Sequence, residues 1–198
     1  SLALSAPGQR TTEETRSGPS AARDALDALG VVVERVSSVV LCPGALNARL
    51  ERGVSKLAVD LALFETVGDV PAGGDARVVC GKIGATDRYG ARFSIWSGRV
   101  ARVLEESRAA SRYLIDGVGE VTFALDADAT EPAVAMASVV GKYVRELWMD
   151  GMAASFDWRG SHPSGYHDRV TASFLEHAAG AVAAGRSALP AYCLLRLR

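Results

Sequence analysis

The chain has 198 residues, of which 48% are hydrophobic and 23% charged, with a formal net charge of −1. That balance is globular and long enough for one domain with a core of its own. It excludes a global electrostatic pull toward nucleic acid or an anionic membrane, and leaves such binding to a local basic face.

Residues 1–22 read as a flexible N-terminal segment, because "SAPGQRTTEETRSGPS" over 5–20 has almost nothing to bury. Residues 23–198 read as a single domain. It opens with a short helix in "AARDALDALG", stopped by Gly30. The β-branched run "VVVERVSSVVL" predicts a strand ending at Pro43. "PGALNARLERGVSKLAVDLALFETV" predicts helix interrupted near Gly53, with Leu57, Leu61 and Phe64 as its apolar stripe.

After the turn "GDVPAGGD", the bounded apolar run "ARVVCGKIG" predicts a short buried strand with Cys80 as a small core residue. "DRYGARFSIWSGRVARVLEESRA" reads as a loop followed by a helix, and "SRYLIDGVGEVTFALDAD" as two strands joined at "DGVG". A long helix, "EPAVAMASVVGKYVRELWM", follows, its small-residue first half suited to close packing in the interior. "SFDWRGSHPSGYHD" is a loop and "RVTASFLEHAAGAV" a closing helix. Interleaved strands and helices with at least one antiparallel pair imply an α/β domain, a mixed sheet covered by helices.

Three widely spaced cysteines, Cys42, Cys80 and Cys193, offer neither a disulfide framework nor a CxxC knuckle. No apolar run approaches the roughly 18 residues of a membrane span, and no leader pattern opens the chain. The expectation is a soluble cytoplasmic protein with no membrane partner.

Three groups of residues could carry chemistry. On the long helix, Ser138, Lys142 and Glu146 fall four apart, on one face. The line is either an ordinary solvated Lys–Glu pair or a polar strip on a functional face. His162 and His167, with Asp168, have a spacing that invites a metal, although lone loop histidines explain it equally. Arg88, Arg92, Arg99, Arg102, Arg108 and Arg112 interleave with Tyr89, Phe93 and Trp96. Arginine forks suit phosphates and aromatic faces suit bases; the alternative is inward-packing aromatics with solvated arginines. Dinucleotide and phosphate-loop glycine motifs and the serine-hydrolase elbow are absent.

The stretch Ala127–Glu146, "ADATEPAVAMASVVGKYVRE", resembles the ribonuclease HII family, in its order of Ala127-Asp128, Pro132, Ala137-Ser138, Lys142 and Arg145-Glu146. Gly165-Tyr166 matches a Gly-Tyr that the family carries before a helix, and weaker similarity runs over most of residues 30–180. The resemblance implies a ribonuclease H-like mixed sheet flanked by helices, and an enzyme that hydrolyses RNA–DNA hybrids with two Mg²⁺ or Mn²⁺ ions. It makes Glu146 the helix-borne metal ligand and catalytic acid, with Lys142 beside it. Ser138, Arg145, Gly165, Tyr166 and Arg88 become expected substrate contacts.

The match is incomplete. The family's first-strand "DExG" acids have no counterpart in this chain, and Gly81 stands where the resemblance expects a strand-end Asp. Asp75, Asp87 and Asp116 are nearby acids on turns. Either the chain is part of a longer protein whose upstream strand carries acids, or it is a relative with an incomplete metal site. The other reading is a non-catalytic module on the same fold that binds nucleic acid or another protein.

Overall fold

A computed structural model describes residues 24, 26–28, 30–69, 76–186 and 194. The segment expected to be flexible, half of the first short helix, most of the turn with Asp75, and Cys193 lie outside the described residues. The chain divides into two compact units, Ser1–Ser37 and Ser38–Arg198. In the first, residues 24 and 26–28 are helical. Gly30 ends the turn at φ +66°, its N–H donating to the Asp27 carbonyl at 3.0 Å and the Val31 N–H to that of Leu26 at 2.9 Å. The valine-rich run beyond it forms no strand. Residues 31–40 are exposed and unpaired, because β-branched residues favour a strand only where a pleated neighbour is there to pack on.

In the second unit, helix α1 spans Pro43–Glu51, with the Cys42 sulfur accepting the Ala45 N–H at 3.4 Å. Pro43 starts the helix where a missing N–H costs nothing. Gly53, at φ +80°, separates it from α2, Lys56–Gly68, which Ser55 caps through the Ala58 N–H at 3.2 Å. The interruption falls where the sequence placed it. Leu61 is buried, and Leu57 and Phe64 pack beside it.

A four-stranded mixed sheet follows: β1 Arg77–Gly81, β2 Val100–Glu106, β3 Ala110–Ile115 and β4 Gly119–Ala124, in the order β1-β4-β3-β2. β1 runs parallel to β4, and the other pairs are antiparallel. The β3–β4 hairpin is the one expected from "DGVG". The helix expected within 87–109 is instead a single 3-10 turn at Gly90–Arg92 and then β2. Pairing with β3 overrode a local pattern that fits either state. One sheet face carries the core: Cys80, Tyr113, Ile115, Val121 and Phe123, with Tyr89, Phe93, Trp96 and Leu61 against them.

The two sheet edges differ. β2 is interrupted by two register shifts and carries Arg102, Glu105 and Glu106, devices that blunt an edge. β1 has neither. Glu120 N–H donates to Ala76 and Lys82 N–H to Ala124, both at 2.9 Å. Alternation therefore turns the backbone groups of Arg77, Val79 and Gly81 away from β4. Among the described residues, no strand meets them.

Beyond β4 come α3, Ala127–Thr130, α4, Pro132–Ser155, and α5, Arg169–Ala183. Met149 and Phe156 at the end of α4 join Phe174, Ala178, Ala181 and Leu194 in a second core. The first half of α4 is not buried as expected. Met136, Val139 and Tyr143 are exposed, and a Cβ at Gly141 would meet nothing within 4 Å. Small residues permit close packing but do not supply the neighbour. No helix among the described residues is long and apolar enough to cross a membrane.

Candidate functional site

Ser138, Lys142 and Glu146 lie on successive turns of α4, Ser138 half-buried and the other two exposed. Among the described residues, Lys142 and Glu146 pair neither with each other nor with anything else. The solvated i, i+4 ion pair is not formed, so the strip presents a free ammonium and a free carboxylate.

Arg145, on the same helix, is brought to the Tyr166 loop. Its guanidinium carbon stacks 3.5 Å from the Tyr166 ring centroid, and Nε donates to the Ser164 carbonyl at 3.1 Å. Gly165 allows this approach. It sits at φ +77°, and a Cβ there would stand 3.0 Å from Met149 Cγ. Asp168 holds the far side of the loop. It caps α5 through the Thr171 N–H at 2.9 Å and accepts from the Thr171 hydroxyl at 2.7 Å and from Ser164 Oγ. Those hydrogen bonds, that from Ser164 foremost, pull its carboxyl down to about 2. Ser164 Oγ in turn accepts the Tyr166 N–H at 3.0 Å.

The histidine pair does not converge. His162 meets Asp150 at 2.8 Å while His167 is exposed. Among the described residues, no three His, Cys, Asp or Glu side chains gather as a metal site.

The arginine–aromatic segment comes apart into two functions. Tyr89 and Trp96 are fully buried and Phe93 nearly so, Tyr89 stacking on Phe123 and Phe93 meeting Trp96 edge-on. They are core, not a base-stacking platform. Arg99 is held by Asp69 at 3.0 Å, and Arg112 by Glu120 at 2.9 Å. Arg92, Arg102 and Arg108 are exposed. Arg88, its side chain 85% exposed, lies 3.8 Å from Glu106. It belongs to the sheet end, and among the described residues it pairs with Glu106, not with α4 or the Tyr166 loop.

That sheet end holds a polar cluster that the sequence reading missed. The C-terminal ends of parallel strands are a common place for sites in α/β sheets, and here β1 and β4 end together. Lys82, its side chain only 9% exposed, pairs with Asp87 and donates to the Ser107 carbonyl at 2.5 Å. Tyr113 donates to Glu106 at 2.8 Å and accepts the Tyr89 N–H at 2.8 Å. Burial is the main reason that its hydroxyl is pushed up to about 12. A lysine directly after an apolar strand was the available signal, since a cation there needs a nearby acid.

Gly81 ends β1 with open space where a side chain would begin. A four-carboxylate, two-metal centre does not fit the described side chains. Glu146 belongs to no group of three such ligands among the described residues, Asp150 one turn on is paired with His162, Gly81 contributes no side-chain oxygen, Asp87 is tied to Lys82, and Asp116 sits exposed in the hairpin turn.

One cavity of about 420 Å³ opens between residues 38–41 and the middle of α4, lined by Val40, Leu41, Gly141, Val144, Arg145 and Trp148 among others. What the fold defines is an α/β domain built on a four-stranded mixed sheet. No protein-family model, characterised protein or solved structure matches the chain.

Proposed function

We propose that this chain is a ribonuclease HII-like domain that engages RNA–DNA hybrids through the open face of α4 and the Tyr166 loop, with a metal centre that its own side chains do not complete. The observation that carries this reading is the ungapped sequence match over Ala127–Glu146, most of it on α4, where Lys142 and Glu146 stand exposed and uncommitted. Arg145 and Tyr166 lie beside them, locked in one arrangement. Parallel β1 and β4, with the helix following β4, are compatible with a ribonuclease H-like sheet. A non-catalytic nucleic-acid module is the second reading, favoured by the donor set, since no three metal-ligating side chains gather among the described residues.

The test is binding and cleavage of a labelled RNA–DNA hybrid with Mg²⁺ or Mn²⁺, using the chain, Glu146→Ala and Gly81→Asp. Hybrid binding that weakens as salt rises is expected, since phosphate contacts release counterions. Gly81→Asp is expected to tighten Mn²⁺ binding, and Glu146→Ala to reverse that gain. No hybrid binding at low salt would overturn the proposal. Metal-dependent cleavage by the unaltered chain, lost in Glu146→Ala, would overturn the incomplete centre and leave the hybrid in place.

A further inference from the structure

We propose that the cavity beside α4 is a binding site for a small amphipathic anion, one carboxylate or phosphate head on an apolar body. This goes beyond the hybrid reading, although the two share Arg145, and the Gly141→Leu variant tells them apart. The cavity measures about 420 Å³, within the range of small-molecule sites. Val40, Leu41, Val144 and Trp148 supply apolar walls, and Gly141, which also lines the space, has nothing beyond its own helix backbone and chain neighbours within 4 Å of where a Cβ would be.

Arg145 is the one charged residue among those lining this space. The five N–H donors of an arginine form a rigid fork. Arg145 gives one of them, Nε, to the Ser164 carbonyl at 3.1 Å and lays its plane on Tyr166 at 3.5 Å. Those two contacts fix the guanidinium without neutralising it. Among the described residues, its terminal nitrogens have no partner and no carboxylate pairs with it. A fixed, unpaired cation beside apolar walls selects a ligand that joins negative charge to hydrocarbon. A neutral apolar ligand would leave the guanidinium unanswered.

The probes are octanoate and octanol, equal in chain length and different in charge, titrated calorimetrically into the chain, Arg145→Met and Gly141→Leu. Octanoate is expected to bind about tenfold or more tighter than octanol, as a charge-assisted pair would require. Arg145→Met should erase that preference while keeping the apolar part. Gly141→Leu should lose both probes without a fall in melting temperature, because leucine fills the cavity and favours helix over glycine. Equal affinity for the two probes, binding of neither, or octanoate binding that survives Gly141→Leu would overturn the proposal. Hybrid binding by Gly141→Leu separates the two readings: its persistence there leaves the hybrid proposal intact whatever the titration shows.

Discussion

Glu65 and Trp96 are joined by a hydrogen bond that no solvent reaches: the carboxylate accepts the Trp96 N–H at 2.8 Å, and both residues are fully buried. The same carboxylate accepts the N–H groups of Ser94, at 3.0 and 3.1 Å, and of Ile95. A single acid on α2 thus answers three consecutive backbone donors and pins the loop that carries Trp96 into the core. Glu65→Ala leaves one buried and two part-buried donors without that acceptor, at up to about 1–3 kcal/mol each. The expected loss is about 3 kcal/mol or more by urea denaturation, and a loss below about 1 kcal/mol would show that water replaces the carboxylate. Glu65→Gln should fall between, because its amide keeps one acceptor oxygen.

Two glycines should respond to alanine with opposite signs. Gly119 sits at φ +113°, and its Cβ would stand 2.2 Å from the Ala76 carbonyl oxygen that receives the Glu120 N–H. Gly119→Ala should cost about 2–5 kcal/mol from backbone strain and overpacking, read as a lower urea midpoint. Gly141 is a helical position with nothing near its Cβ. Gly141→Ala should stabilise by about 1 kcal/mol. A destabilised Gly141→Ala would mean that something packs there.

Acid should act on the Tyr166 loop through Asp168. Its carboxyl is lowered from 3.8 to about 2, chiefly by the Ser164 hydrogen bond. A depressed folded-state value means that its contribution is fully present above about pH 4 and is lost as the pH falls toward 2. Wild-type stability should therefore drop faster than that of Asp168→Asn across this window in denaturant titrations. Parallel curves would show that the carboxylate contributes nothing to folding.

Alkylation should distinguish two cysteines. Cys80 is buried in the sheet core, and burial pushes its thiol up to about 12, while Cys42 is half-buried at the start of α1. Thiolate is the reactive form. Brief iodoacetamide treatment of the native protein, followed by peptide mass spectrometry, should label Cys42 and spare Cys80 until denaturant is added. Early labelling of Cys80 would mean that β1 opens readily at its unpaired edge.

The sequence by itself determined the elements whose signals are local. Gly53 broke a helix because glycine accepts a positive φ, "DGVG" closed a hairpin, and the long helix and its Ser138, Lys142 and Glu146 line followed from periodicity. Gly165-Tyr166 and Arg145-Glu146 were each singled out by the family resemblance and not placed together, and of those four the structure joins Arg145 to the Tyr166 loop.

Tertiary structure decided what depends on a partner far along the chain. The run at 31–40 has the composition of a strand and no strand beside it, whereas Val100–Glu106 became one because β3 was there to pair with. Tyr89, Phe93 and Trp96 could have stacked on bases, but the sheet face offered them a dry surface, and burial of large rings outweighs exposure by a few kcal/mol. Lys82 found Asp87 across a loop, and the apolar first half of α4 stayed open because nothing in the described chain arrives to cover it. Local conformation is set by a residue's own backbone and its neighbours within a turn. Burial and pairing are set by which distant surfaces meet, and only the folded chain brings those together.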